Sequence, residues 1–280
     1  MTTPTDWSSY DTIAARYDEV WGSRFEAVAR LLWDHLPVRP QASVLDIGTG
    51  TGIVLQAAAA RLPEALLTGC DRSTGMLRVA GSRLPAARLF AADAASLPFR
   101  ERTFDVVTAS FVLSHLADYG PGLTEARRVL RADGIFAMTS WAADADVHGQ
   151  AWRKLLAEVV SEDRVRAAIA RVAPSEGLFE TGGGVERSLS TAGFTHVEVH
   201  ASTVECRLPL EHFLADRELS SAGRFARHAL GSSAWQSFLA YAHNHLHQRF
   251  GSVVEFSRRI LIGIGHQPTH GLRATPSSNA

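Results

Sequence analysis

The sequence predicts an α/β fold, a largely parallel sheet with helices packed on its faces, and three observations predict it. First, Ser43 to Gly52 (SVLDIGTGTG) carries an apolar run into an aspartate and three alternate glycines. The next nine residues, IVLQAAAAR, are good helix formers, so the stretch reads strand, tight turn, helix. Second, short apolar runs and helical patterns then alternate as far as Trp141, the rhythm of parallel βαβ units. Third, the first three strand candidates end in or beside an acid, Asp46, Asp71 and Asp93. Ligands of open parallel sheets bind at the carboxyl ends of the strands, so these acids are expected on one rim.

In chain order, residues 1–36 read as an N-terminal helical cover. Residues 1–9 are polar and expected to be loose. Asp11 to Trp33 is expected to be helical, because Ile13, Tyr17, Val20 and Trp21, then Phe25, Val28, Leu31 and Leu32, recur at three- to four-residue spacing. The core follows over 37–141. After the glycine corner come a strand at Ala65–Asp71, a helix at Thr74–Leu84 and a strand at Ala87–Asp93. A strand at Phe104–Ser110, a helix at Gly122–Leu130 and a strand at Gly134–Ser140 complete it. Residues 142–184 break the rhythm and read as a helical insertion over the substrate. Residues 185–206 return to the sheet, with a helix at Val185–Ala192 and a strand at Thr195–Val204 in which Val197, Val199 and Ala201 alternate with polar residues. Residues 207–256 form a second helical, aromatic insertion, 257–266 the last strand, and 267–280 a loose tail without apolar periodicity.

Composition narrows the ligand. The chain has 280 residues, 46% hydrophobic and 20% charged, enough for one large domain with insertions. Its 28 basic and 29 acidic residues leave a net charge of −1, so no global field draws it to nucleic acid or anionic lipid. A small-molecule partner is expected, with no nucleic acid and no membrane partner. Cys70 and Cys206 lie in no C-x-x-C or zinc spacing, and the N-terminus lacks an apolar signal core, so a reduced cytoplasmic protein is expected. No apolar run approaches the ~20 residues that span a bilayer. The oligomeric state is not legible.

Glycines at 48, 50 and 52 let the loop take left-handed backbone angles, so a ligand can lie against the main chain, and the helix that follows presents unpaired N–H groups. A dinucleotide fingerprint, G-x-G-x-x-G, would need its third glycine at Ile53, which argues against NAD. Asp46 precedes the first glycine, where a cationic amino group could be met. Asp71 follows at about the spacing at which such folds set an acid against ribose hydroxyls, accepting two charge-assisted bonds from a diol. Any one of these aspartates also reads as a cap or turn residue.

With these residues in view, the chain resembles the class I S-adenosylmethionine-dependent methyltransferases, in particular their small-molecule branch of quinone-type and antibiotic-tailoring enzymes. The likeness is carried by VLDIGTGTG (44–52), GCDRS with Met76 (69–76), ADAA with LPF (92–99), FDVV through LSHL (104–116), VLRADG (129–134) and the opening Tyr10-Asp11 through Tyr17-Asp18-Glu19-Val20-Trp21-Gly22. It implies a Rossmann-like seven-stranded sheet whose last strand is antiparallel, with S-adenosyl-L-methionine as cofactor. By the same resemblance, Gly48, Thr49 and Gly50 lie under the methionine part and Asp46 near its ammonium. Asp71 holds the ribose, Arg72 and Met76 line the adenine, and Asp93 with the Ala94 N–H meets the adenine edge. Ser110 and Phe111 lie below the sulfonium, and Tyr17 closes over it.

A sulfonium methyl is already an electrophile, so the protein has mainly to position the reactants, and a base is needed only if the acceptor must lose a proton. His115, at the rim after the fourth strand, is the candidate base; a hydrogen-bonded histidine with no catalytic duty is the other reading. His243, His245 and His247 lack a complete ligand set, and no metal is expected. Tyr10 and Trp21 of the cover, with Trp141, His148 and Trp152, are candidate contacts for a small, ring-bearing acceptor, while aromatics such as Phe179, Phe213 and Trp235 read equally as lid or core. The expected activity is methyl transfer to an oxygen, nitrogen or carbon; the alternative is a protein of this type that binds S-adenosylmethionine without transfer, as a cyclisation scaffold or regulator.

Overall fold

The computed structural model describes residues 6–143 and 146–269. Seven strands, β1 (Ser43–Ile47), β2 (Leu66–Asp71), β3 (Arg88–Ala91), β4 (Phe104–Ser110), β5 (Leu130–Trp141), β6 (Thr195–Pro209) and β7 (Val253–His266), form one sheet in the order β3-β2-β1-β4-β5-β7-β6. β7 runs antiparallel to both its neighbours, and every other pairing is parallel. The sheet is therefore the expected one. β1 and β4 are buried almost throughout, which is why they read as continuous apolar runs, while the short edge strand β3 is largely exposed.

Side-chain alternation divides the core between the sheet's two faces. On one face Val44, Val106, Ile135 and Ala137 pack against α1 (Ala14–Asp34) and α2 (Ile53–Arg61) through Val28, Leu32, Trp33, Leu55 and Ala58. On the other, Leu45, Val107, Phe136 and Met138 meet α4 (Tyr119–Val129) and α8 (Gly182–Thr191) through Leu123, Ala126, Val185 and Leu189. The Trp33 indole N–H donates to the Val54 carbonyl at 2.9 Å, so the cover helix is bonded to α2 as well as packed on it. α3 (Thr74–Arg83) sits beside β2 and β3.

The remaining helices build a cap: α5 (Val147–Ala157), α6 (Glu162–Val172), α7 (Glu176–Phe179), α9 (Leu210–Leu219), α10 (Ser221–Leu230) and α11 (Ser232–Phe250). α10 packs on α6, α11 on α5, and α9 against α1 and β6. Trp152, Trp235 and Phe238 fill its interior.

Several boundaries differ from the sequence reading, each for a local reason. The cover helix begins at Ala14, not Asp11, because the Asp11 carboxylate is drawn away to the start of α3, where it accepts from Gly75 N and Ser73 Oγ, both at 2.8 Å. Residues 6–9 are tied down: the Arg224 guanidinium donates to the Ser9 carbonyl at 3.0 Å, and Trp7 packs on Phe225. α4 starts at Tyr119 on an Asp118 cap, and Leu130 joins β5. Residues 207–209 and 253–256, placed in the second insertion by sequence, are strand, because β6 and β7, after a bulge following Thr195, pair in unbroken register from Glu198 opposite Ile264 to Pro209 opposite Val253. Cross-strand partners such as Arg207 and Glu255, 3.0 Å apart, lie along that ribbon. Gln267 is bonded to Gly134 and Arg127, whereas the rest of the tail from residue 270, like residues 1–5, lies outside the described residues. The glycine cluster opens α8 rather than preceding it, with Thr181 as the cap accepting from Gly184 N.

Gly184 is there because a Cβ would collide with the Leu178 carbonyl. Gly184→Ala is expected to cost about 2–4 kcal/mol, read as a lowered urea midpoint; an unchanged midpoint would refute this close approach.

Candidate functional site

The glycine corner is where β1 ends against the sheet's middle. Gly48, Gly50 and Gly52 all take positive φ (63°, 53° and 84°), so the chain turns between β1 and α2 through angles that a side chain would strain. Val112 lies directly over Gly48. At Gly50 an added Cβ would meet nothing nearer than 3.9 Å, leaving that main chain open to a ligand. One strand over, the Asp71 carboxylate accepts from Gly50 N (2.9 Å) with one oxygen and from Ser73 N (2.8 Å) with the other. It clasps the loop to the start of α3 and keeps a lone pair on each oxygen for a diol. Burial pushes its pKa up, and the two backbone N–H bonds oppose that.

Asp46 is 1% exposed. Its Oδ1 accepts from Thr108 Oγ1 at 2.6 Å, but its Oδ2, like the neighbouring Thr49 Oγ1, is buried without a partner. Burial raises its pKa to about 7, opposed by the Thr108 hydroxyl and by the nearby Thr49 hydroxyl, which lies close without forming a well-aligned bond. A carboxylate held in this way is short of a cation, and an ammonium would supply both the charge and the hydrogen bond.

Asp93 follows β3 on the same rim, exposed, with Oδ1 accepting from Ala95 N at 2.9 Å; Ala94 beside it is buried. Arg72 is exposed and Met76 buried in α3's first turn. The three aspartates thus come from adjacent strand ends, with an open glycine main chain and a nearly unpaired carboxylate between them. This arrangement fits an amino acid joined to a nucleoside.

The cover helix lies above. Tyr17 contacts Tyr10 (5.8 Å between ring centroids), Trp21 (4.9 Å) and Phe25 (5.8 Å). Burial, above all, raises the pKa of both tyrosines, and the Asp71 charge adds to it. At the ends of β4 and β5, Ser110 Oγ bonds Thr139 Oγ1 at 2.7 Å, and the Phe111 ring stacks on Trp141 at 4.5 Å. Phe111 takes φ 55°, a conformation costly for an aromatic residue and held by its N–H bond to the Thr139 carbonyl. His115 closes a single 3-10 turn (Leu113–His115), 6.5 Å from the Tyr10 ring. Its Nδ1 lies 3.2 Å from the Val172 carbonyl, which makes Nδ1 the donor and leaves the Nε2 lone pair free. The residue as a whole is exposed, but desolvation where the ring lies against its neighbours lowers its pKa.

Two acceptor candidates fall elsewhere. Trp152 is 2% exposed and packs on Trp235 and Phe238 inside the cap. His148 is packed on Phe213, Phe250 and Phe256, near Asp146. Both serve the apolar interior, whereas Tyr10, Trp21 and Trp141 remain at the rim. His243 and His247 stack on one face of α11 near Glu211, and among the described residues no group of three or more potential metal ligands gathers. Among them, too, no helix is long and apolar enough to cross a membrane.

Sequence reasoning passed over the groups that hold the cover down. Besides Asp11, Asp18 makes a two-pronged pair with Arg83 (2.9 and 2.7 Å), and Arg224 lies 4.3 Å over the Tyr10 ring. The carboxylates were in plain view in the opening helix, but their partners are far along the chain.

Residues 45–138 match a family model described as a methyltransferase domain. The chain is 30% identical over 212 residues to nocamycin O-methyltransferase of Saccharothrix syringae, covering 71% of this chain and 76% of that protein. It is 35% identical over 130 residues to demethylmenaquinone methyltransferase of Thermotoga maritima, covering 45% of this chain and only 56% of that relative's length. A solved Haemonchus contortus phosphoethanolamine N-methyltransferase 2 in complex with S-adenosyl-L-methionine shares the fold, with a TM-score of 0.58 at 19% identity over 92% of this chain and 57% of that one.

Asp46 gives a signed pH dependence. Because its folded pKa is raised, the stability it contributes is fully present below the unfolded value and is lost as pH rises through about 7. Asp46→Asn is therefore expected to stabilise the ligand-free protein at pH 8 by on the order of 2 kcal/mol in chemical denaturation. Affinity of the unaltered protein for S-adenosylmethionine, by calorimetry, is expected to level off above about pH 7, until the ligand's own ammonium begins to lose its proton. Below it, affinity should fall by up to about tenfold per pH unit as the carboxyl takes up its proton. The asparagine variant should lose at least about tenfold in affinity and show no such slope; a slope that survives the substitution would clear Asp46.

Proposed function

This chain belongs to the S-adenosylmethionine-dependent methyltransferase family, and on that premise we propose that it moves a methyl group to an oxygen, nitrogen or carbon atom of a small, ring-bearing acceptor. One observation carries the placement of the site: the unpaired, buried Asp46 Oδ2 beside the open Gly50 main chain, one strand from the Asp71 clasp. S-adenosylmethionine supplies, when bound, a sulfonium-activated methyl group.

The chain's own residues would do the rest. Asp46 accepts from the amino acid ammonium, over the main chain of Gly48, Thr49 and Gly50. Asp71 takes the ribose hydroxyls on its remaining lone pairs, Arg72 and Met76 lie along the adenine, and Asp93 with the Ala94 N–H reads its edge. Ser110 and Phe111 form the floor, and Tyr17 the roof, of the place where the methyl group is passed. Positioning supplies most of the acceleration, so a dry, walled site matters more than a strong base. Where the acceptor must shed a proton, the free Nε2 of His115 is the group to take it. The cap segments 142–184 and 207–256 would shape the acceptor's approach. The relatives' names, a nocamycin O-methyltransferase, a demethylmenaquinone methyltransferase and a malonyl-(acyl-carrier protein) O-methyltransferase, support methyl transfer to a small acceptor and do not favour the non-transferring alternative.

Release of S-adenosylhomocysteine, screened by mass spectrometry against phenolic, quinone-type and polyketide-like acceptors, tests the reading; saturable NAD binding without S-adenosylmethionine binding would defeat it. Asp71→Ala is expected to weaken S-adenosylmethionine binding by about 1–3 kcal/mol, and an unchanged dissociation constant would remove it from the site. For His115→Ala, turnover should drop and the acid limb of the rate profile, set by a pKa below the usual histidine value, should vanish. If turnover is unaffected at every pH, positioning alone remains.

A further inference from the structure

Among the described residues, the buried side-chain atoms that find no partner sort by chemistry. Those in the glycine corner are Asp46 Oδ2, which when ionised can only accept, and Thr49 Oγ1, a hydroxyl that can do either; the other three, Trp21 Nε1, Arg224 Nε and Arg258 Nε, can only donate. The corner wants a cation. The donors want a ligand that brings oxygen acceptors, preferably anionic ones.

Two of these donors flank one aromatic wall. Trp141, the last residue of β5, stacks on Phe111; Phe25 lies 5.2 Å from Phe111 and 6.3 Å from Trp141, and Trp21 lies 5.4 Å from Phe25. A guanidinium stands at each end of this row, Arg258 at 4.6 Å from the Trp141 ring centre and Arg24 at 5.8 Å from that of Trp21. Arg258 is carried there by the overhang of β7: β5 ends at Trp141 opposite Ile260, Arg259 still bonds to Ala142, and the residues before it run on past the rim paired with β6.

The two arginines differ in counter-charge. Arg24 donates to Asp216 Oδ1 at 3.1 Å, while Asp216 Oδ2 is taken by Arg217, whose Nε lies 3.0 Å away, so this fully buried carboxylate already serves two cations. Arg258 has no ion pair or hydrogen bond among the described residues. Of the other acids that act on it, Asp146 is occupied by His148 N and Gly149 N, and Glu176 makes no ion pair with it. The Arg217 and Arg24 charges repel it. Arg258 is half-buried, and its Nε, sealed from water with no partner, is costly to keep beside this rim unless a ligand completes it.

We infer that Arg258, standing over Trp141, is the anion-binding determinant of the acceptor subsite, so that the methyl acceptor is a planar, conjugated molecule bearing a carboxylate or a comparably acidic oxygen. The ring lies along the Phe111–Trp141–Phe25 wall, the anion meets Arg258, and the Trp21 N–H on the same wall offers a further donor. This inference rests on the reading of the neighbouring crevice as the methyl-transfer site.

The test uses the full chain saturated with S-adenosylhomocysteine, with 1-naphthoate and its uncharged counterpart 1-naphthamide as probes, both titrated by calorimetry. Naphthoate is expected to bind at least about tenfold tighter than naphthamide. In Arg258→Gln the preference should shrink to about threefold or less, and in Arg258→Lys part of it should return, while the S-adenosylhomocysteine dissociation constant stays within about twofold in both. That unchanged constant also certifies that the variants fold. Equal binding of the two probes, binding of neither, or a parallel loss of S-adenosylhomocysteine affinity in Arg258→Gln would overturn the inference, the last by giving the guanidinium to the amino acid carboxylate. If the unaltered protein fails to bind S-adenosylhomocysteine, the methyl-transfer reading falls and the inference with it. If it binds and shows no carboxylate preference, only the inference falls.

Discussion

The Asp71 carboxylate is the constraint on which the site depends. One oxygen holds Gly50 N and the other Ser73 N, so a single side chain at the end of β2 fixes the glycine loop of one βα unit to the helix start of the next. Ser73 then caps α3 through Met76 N and donates to Asp11, which also receives Gly75 N. The cover helix is thereby docked at the same point. Bonds to a carboxylate are stronger than neutral ones, and those at Asp71 are largely shielded from water. A ribose at Asp71 would therefore touch the group that organises the loop, α3 and the cover together.

Polar satisfaction elsewhere is nearly complete, which gives weight to the exceptions. Folded proteins pair almost all their buried polar atoms, so unpaired ones concentrate where a ligand belongs. Here they lie in the crevice and its aromatic wall, with acceptors at the glycine corner and donors beneath the cover. The same region carries the strained Phe111 backbone and the raised Asp46 pKa. Each of these features disfavours the ligand-free state, and together they make a site organised ahead of binding.

The cap differs in kind. Its interior is apolar and well filled, with Trp152, Trp235, Phe238 and Phe213 buried against one another or against β7, so most of its aromatics hold helices together and few meet a ligand. The long β6–β7 ribbon joins cap to sheet. Its overhanging half places Arg258 over Trp141, two residues that belong to neighbouring antiparallel strands but lie far apart in sequence.

Much was legible in the chain alone, wherever the physics is local. Strand, glycine turn and helix at 43–61 follow from hydrophobic period and glycine's freedom, and the rim aspartates follow from their places at consecutive strand ends. The resemblance rested on that same local order. What only the tertiary structure decided are pairings across long separations. These are Arg24 with Asp216, Asp18 with Arg83, Arg224 with Tyr10, and the burial that separates Trp141 at the rim from Trp152 in the cap. An aromatic or arginine at helical spacing reads alike whether it faces a ligand, a neighbouring helix or water. Which of these it meets is set by chain packing, and no local period encodes that.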